Sequence, residues 1–153
     1  NFKGLDFFAF DSSYVVNAVL TRTPEEKSFK MRTTTDRLPE YIKHGVVTFD
    51  LFDNSYSLNI YRNLDIINKE GYEDYLFLPF LDDTNGDESY GGGRYIDLDV
   101  TEEDSLVIDF NSAYNPYCTY NEKYSCPIVP RENYLSVEIK AGVKNFNKNY
   151  STN

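Results

Sequence analysis

Two short segments joined by a three-residue turn constrain the fold of this chain more than any other feature. In residues 45–52, Val47, Phe49 and Leu51 alternate with polar residues, and after Asp53-Asn54-Ser55 the alternation resumes with Leu58 and Ile60 in residues 56–61. A period of two sends one set of side chains to one face of a pleated strand. A slip of one residue would turn the whole set over, so the register of this hairpin is pinned. The same period recurs at Tyr14, Val16, Ala18 and Leu20, at Ile96, Leu98 and Val100, at Leu106, Ile108 and Phe110, and at Leu135, Val137 and Ile139.

The intervening stretches add to a β reading. Residues 5–10 lead through Asp11-Ser12-Ser13, a turn signal, and are expected to pair with residues 14–21 as a hairpin. Residues 29–35 read as an edge strand ended near Pro39, and residues 64–70, stopped by Gly71, as one or two helical turns. Residues 75–81 form an apolar run expected to break at Pro79. Residues 96–100 and 106–110 read as a further hairpin whose polar face carries carboxylates from both strands. Pro116, Pro127 and Pro130 make residues 115–130 irregular, because each removes a ladder donor and restricts its predecessor. The expectation is an all-β fold in a single domain over residues 1–144: a mainly antiparallel barrel or sandwich of eight or nine strands, followed by a frayed tail over residues 145–153. A barrel is preferred, since closure removes exposed edges from a chain with 14 Tyr and 11 Phe.

A formal charge of −10 argues against nucleic acid, whose phosphates need a basic face. No run approaches the roughly 20 apolar residues of a membrane span. The chain starts at Asn1 rather than Met, which fits an upstream segment, such as a signal peptide, having been removed. Cys118 and Cys126 are the only cysteines. Their close spacing allows a disulfide, a pair of reduced structural thiols or, with a single histidine in the chain, a poorly supplied metal site.

Least ordinary is the region from residue 90 to residue 133. Tyr90-Gly91-Gly92-Gly93-Arg94 could hold an anionic group with loop N–H donors and a guanidinium, or the glycines could mark a bulge with Arg94 paired to Asp97 or Asp109. Asp109, Asn111, Asn115, Glu132 and Asn133 could gather as an acid/base cluster, or simply fix irregular backbone through Asx turns and caps. His44 lies far along the chain from either cysteine, and no motif pairs it with a nucleophile, so a surface or packing role is expected. The acidic turn at residues 82–88 lacks the spacing of a calcium loop, and the glycine run does not open a helix as a phosphate loop would. No metal and no cofactor are implied.

The segments Tyr75-Leu-Phe-Leu-Pro-Phe, Thr84-Asn-Gly, Tyr90-Gly-Gly-Gly-Arg-Tyr, Asp109-Phe-Asn, Ala113-Tyr-Asn-Pro-Tyr-Cys and Cys126-Pro, with Pro130, Glu132-Asn133 and Ala141-Gly142, closely resemble an uncharacterised prokaryotic family catalogued as domain of unknown function 1684. Ser89 stands where Thr is commoner in that family, and Val129 where Pro is usual. The resemblance is to a Bacteroidetes-type member. It implies a signal peptide ahead of this region and an extracytoplasmic home, in the periplasm or cell envelope, and it brings no activity with it. Three readings of function follow. The first is a small-ligand or glycan-type binding module with a Tyr-rich, acidic pocket drawing on Tyr90, Arg94, Tyr95, Asp97, Asn111, Asn115 and Asn133. The second is a hydrolase-like enzyme using Asp109 and Glu132 as a carboxylate pair. The third is an envelope interaction domain without a pocket.

Overall fold

The structure is a computed structural model and describes residues 5–146. Alternation sorts the chain into one mostly antiparallel sheet. Its strands are β1 (Val15–Arg22), β2 (Phe29–Lys30), β3 (Glu40–Leu51), β4 (Asn54–Asn63), β5 (Tyr75–Asp82), β6 (Arg94–Asp99), β7 (Ser105–Asp109) and β8 (Tyr134–Leu135). They are ordered β6-β5-β4-β3-β1-β7, with β2 added to β3 and β8 running parallel to β5. Only residues 100–104 join β6 to β7, the two edges of that path, and such a link spans at most roughly 20 Å fully extended. The sheet therefore has to curl. It forms a half-barrel, not a closed one: β6 bonds to β5 and β7 to β1, so the expected hairpin between residues 96–100 and 106–110 does not exist. Periodicity fixed which way their side chains face but carried no information about which strand lies beside them.

The concave face is packed solid. Ala18, Leu20, Val47, Leu58, Ile60, Leu76, Leu78 and Ile96 line it, Phe110 packs tilted against Phe49 and edge to face against Phe80 within it, and Leu135, Ile139 and Ala141 complete the same buried cluster.

A β-bulge decides what reaches the other face. In the β3–β4 ladder, Lys43 pairs with Tyr61 and Gly45 with Ile60, so His44 is an extra residue. An inserted residue reverses the parity of the strand beyond it. Val47, Phe49 and Leu51 thus point inward, whereas Tyr41 points outward with Tyr61, Phe77, Tyr95 and Met31 in a second apolar cluster. Gly45 suits the bulge because a Cβ there would lie 2.6 Å from the Thr21 carbonyl oxygen.

Several expectations need correction. Residues 5–10 form no hairpin strand: Phe7 makes a single bridge to Val143, and the amide of Phe8 donates to the Gly142 carbonyl. Of residues 29–35 only Phe29 and Lys30 are strand, followed by an isolated bridge from Thr33 to Pro127. Residues 64–72 turn without forming a helix. The last strand stops at Leu135, since Ile139 and Ala141 are held by side chains. The tail expected from residue 145 lies from residue 147 onward outside the described residues, and Phe146 packs its ring 5.0 Å from that of Tyr120.

Most instructive is β5, which runs through Pro79 unbroken and changes neighbour instead. β4 meets it at Tyr61↔Phe77 and β8 at Leu81↔Tyr134. At the fork the Asn133 carboxamide takes the place of a strand: its oxygen accepts from the Asn59 amide at 2.9 Å, and its nitrogen donates to the carbonyls of Asn59 at 2.8 Å and Pro79 at 2.7 Å. Among the described residues no helix is long and apolar enough to cross a membrane.

Candidate functional site

On the outward face of β5 and β6 the odd-numbered residues Tyr75, Phe77, Tyr95 and Asp97 stand in register, with Phe77 opposite Asp97. The proline-rich segment crosses over them and is anchored at both ends. Tyr95 and Tyr114 exchange backbone hydrogen bonds at 2.9 and 3.0 Å, while the Ile128 amide donates to the Arg32 carbonyl and the Thr34 amide to the Cys126 carbonyl. Between sheet and strap lies a cavity of about 280 Å³ lined by Tyr41, Tyr75, Phe77, Tyr95, Tyr114, Tyr117 and Tyr124, with Asp97, Pro116, Ser125, Cys126 and Pro127. Its rings stand at steep angles: Phe77 to Tyr95 at 78° with centroids 4.7 Å apart, and Tyr95 to Tyr114 at 87° and 5.8 Å. Such edge-to-face sets are favourable in themselves and present faces in more than one direction.

One carboxylate organises the polar side. The hydroxyls of Tyr75 and Tyr114 both donate to Asp97 Oδ1, at 3.0 and 2.6 Å. Burial, and then the neighbouring acidic groups, push the Tyr75 phenol up, and burial followed by the Asp97 hydrogen bond does the same for Tyr114. Both stay protonated donors across the physiological range. Tyr95 is raised chiefly by burial, and its hydroxyl donates to the Pro127 carbonyl at 2.5 Å, tying sheet to strap. Tyr41 is pushed up to about 12, again mainly by burial, and Arg37, whose guanidinium bonds the Ser125 hydroxyl and carbonyl, opposes that rise.

Tyr90 lies next door, in a smaller hollow of about 60 Å³ that shares Pro116, Cys126 and Pro127 with the cavity and also contains Cys118. The two cysteines meet there as free thiols, with the Cys118 amide donating to Cys126 Sγ at 3.0 Å. Burial pushes the Cys126 thiol up to about 12. A hollow of about 360 Å³ between residues 29–32 and 128–131 has a rim of exposed side chains and no organised polar group.

Other candidates serve the fold. Arg94 is 0% exposed: its guanidinium donates to the carbonyls of Ile139 (2.9 Å), Ala141 (2.5 Å) and Val143 (3.0 Å), reaches Asp82 Oδ1 at 3.3 Å, and lies 5.2 Å from the Phe80 ring centroid. Its acidic partner is therefore Asp82, not Asp97 or Asp109, and it offers no contact to an outside anion. Asp82 is also spent on the Ile139 and Thr84 amides and the Thr84 hydroxyl, which gives the acidic turn a structural purpose. Asn133 holds the strand fork. Asn111 is tied to the backbone of Asp11 and to Asp109. Asn115 is buried, its nitrogen donating to the Tyr120 hydroxyl at 2.9 Å. Asp109 caps its own short turn, accepting from the Asn111 amide, while Glu132 is exposed on a turn against β4 and β5. Neither Asp109 nor Glu132 lines the cavity. Tyr95 and Asp97 are thus the candidates that line it, joined at its edge by Tyr90.

Sequence reasoning missed Tyr41, Tyr75, Phe77, Tyr114, Tyr117 and Tyr124. For Tyr75 and Phe77 the signal was available, since they share parity with Pro79 and oppose the core set Leu76, Leu78 and Phe80. For Tyr41 it was hidden by the bulge.

The fold has a solved counterpart. The solution NMR structure of an uncharacterized protein from Haloarcula marismortui superposes with a TM-score of 0.74 at 36% identity, covering 94% of this chain and 77% of that one. No curated protein matches the chain. The model of the family described as protein of unknown function (DUF1684) matches residues 1–144, and the chain belongs to that family.

Proposed function

We propose that this domain is a small-ligand or glycan-type binding module and that the tyrosine-lined cavity between β5, β6 and the proline-rich strap is its site. The observation that carries the reading is the clamp of two tyrosine hydroxyls on a single oxygen of Asp97 at the wall of an aromatic hollow. Binding pockets combine mostly apolar walls with a few fixed polar groups, and this cavity, at about 280 Å³, stands near the lower end of the roughly 300–1,000 Å³ that such pockets occupy. That volume suits one ring or a similarly small group. Aromatic faces pack on the apolar face of a sugar ring, and a carboxylate accepts from its hydroxyls.

Intrinsic tyrosine emission, uncomplicated because the chain has no Trp, provides the test. The protein is titrated with a panel of neutral mono- and disaccharides, small organic cations and small organic anions. Saturable binding by a neutral or cationic member, weakened in Asp97→Ala and in Tyr75→Ala, is the expected result. If nothing binds, or binding survives both substitutions unchanged, the cavity is not the site.

A further inference from the structure

Resting on that reading of the cavity, we infer that its ligand is an organic ammonium, held with its positive charge against Asp97 and among the tyrosine rings. The lining contains one carboxylate and no lysine, arginine or histidine. Anions are disfavoured twice, by Asp97 and by a chain carrying −10 overall, so the local field selects for positive charge. Tyrosine and phenylalanine rings carry negative potential on their faces and attract cations; Phe77 and Tyr95 are buried edge to face at the back of the hollow, and the half-buried Tyr75 and Tyr114 with the exposed Tyr117 and Tyr124 complete its lining. Aromatic rings grouped around a site are a general means of recognising methylated ammonium groups.

The polar geometry agrees. Tyr75 and Tyr114 both bond Asp97 Oδ1. Their donation fixes the carboxylate in the cleft wall, and Asp97 as a whole stays exposed to an incoming group. Both phenols remain neutral, so they add no competing acceptor charge and hold the carboxylate in place. Arg37 is the nearby cation that acts on Tyr41, and it is held on Ser125 at the rim. It opposes a bound ammonium and would favour a bound anion, which makes it a sensitive discriminator.

Two sources share this chemistry: a methylated ammonium of the choline kind and the primary ammonium of an amino sugar. The test follows amide shifts by NMR as the protein is titrated with choline, with 3,3-dimethylbutanol as its uncharged isostere, with glucosamine and with N-acetylglucosamine. The expected result is saturable shifts confined to β5, β6 and residues 114–127, with a charged member binding at least about tenfold tighter than its neutral counterpart. Choline or glucosamine as the tighter charged ligand identifies the source. Asp97→Asn should weaken the charged ligand about tenfold and the neutral one by clearly less, and Arg37→Gln should tighten the charged one about twofold to fivefold, an effect that shrinks at high salt. Neutral and charged counterparts binding equally at the cleft would overturn the ammonium assignment while leaving the cavity as the site. Shifts in none of the four titrations would overturn the ammonium assignment, and the cavity reading would then stand or fall on the wider panel above. Weaker binding of the charged ligand in Arg37→Gln would overturn it.

Discussion

Replacing Arg94 by methionine keeps the length and apolar stem of the side chain and removes the guanidinium, isolating what its hydrogen bonds contribute. Three backbone carbonyls, of Ile139, Ala141 and Val143, lose their donor, and the fully buried Asp82 loses its counter-charge. A buried acceptor left unpaired costs about 1–3 kcal/mol, and breaking a buried ion pair from one side about 3–5 kcal/mol. These losses overlap, because the same relaxation and water entry relieve all of them, so the sum is not taken. About 4–5 kcal/mol is expected, a large share of the 5–15 kcal/mol of a typical domain. Urea unfolding followed by far-ultraviolet dichroism should show the midpoint falling without a change in slope. Hydrogen exchange should accelerate first at the amides of Phe8, Ile139 and Lys144, all bonded to or from the segment Arg94 holds. Asp82→Asn supplies the control. Alone it strands the buried guanidinium, and combined with Arg94→Met it should cost less than the two single losses added together, by about 1–3 kcal/mol. A loss below about 1 kcal/mol in Arg94→Met, or strict additivity with Asp82→Asn, would refute the view that this ion pair holds the C-terminal segment on the sheet.

Gly93→Ala should cost about 2–4 kcal/mol by thermal unfolding, since φ is +94° there and a Cβ would lie 2.6 Å from the Phe80 carbonyl oxygen; an unchanged melting temperature would contradict that strain. Burial, and then Arg62 and Arg22, lower the pKa of His44, so the unfolded chain takes up this proton first. Its stability contribution is whole above about pH 6.5 and is lost as pH falls from there through the lower folded value. The difference in unfolding free energy between wild type and His44→Gln should therefore vary across that window and be flat above pH 7, which paired urea titrations at several pH values would measure. Native reduced protein should expose one fast thiol to a disulfide reagent near pH 8 and both after denaturation, because Cys126 is buried with its thiol pushed up to about 12. Equal fast reaction of two thiols in the native state would count against the buried geometry.

Much of this was written in parity. In β6, Arg94 shares its face with Ile96 and Leu98, and in β5, Asp82 shares its face with Leu76, Leu78 and Phe80. The alternation that identifies the strands therefore already sends Arg94 and Asp82 inward toward each other, and Asp97 and Tyr95 outward. Reading Arg94 as a ligand-binding residue gave weight to the glycines before it and overlooked its place in the pattern. Other features lie beyond any local pattern. The bulge at His44 turns Tyr41 outward through one unpaired residue, and Asn133 acts as a strand only because Pro79, far away in sequence, stands where a ladder rung would be. Likewise, residues 101–105 look like a hairpin turn, yet residues 100–104 link the two edges of the half-barrel, because the neighbour of a strand is settled by the whole sheet.

The location of the candidate site follows from how tightly the sheet is curled. A sheet this narrow is filled from within by Phe49, Phe80, Phe110 and the closing residues Leu135, Ile139 and Ala141, all buried. The candidate cavity lies on the convex side and has a cover there, since tyrosine and phenylalanine rings standing on an open sheet would meet water on one face. Residues 114–128 are that cover, and their prolines suit it: having fewer N–H groups to satisfy, the segment can lie across the strands, bridging to them at its two ends. The consequence is a division of labour between the two parities of β5 and β6. Inward residues, including the Arg94–Asp82 pair, hold the C-terminal segment in the opening, and outward residues, with Asp97 among the tyrosines, remain available to a small molecule. A substitution on the inward set should thus register in stability with the cavity unchanged, and one at the exposed Asp97 on the outward set in binding, whereas the buried outward rings Phe77 and Tyr95 contribute to stability as well. Parity, more than distance from the cavity, sorts the two classes.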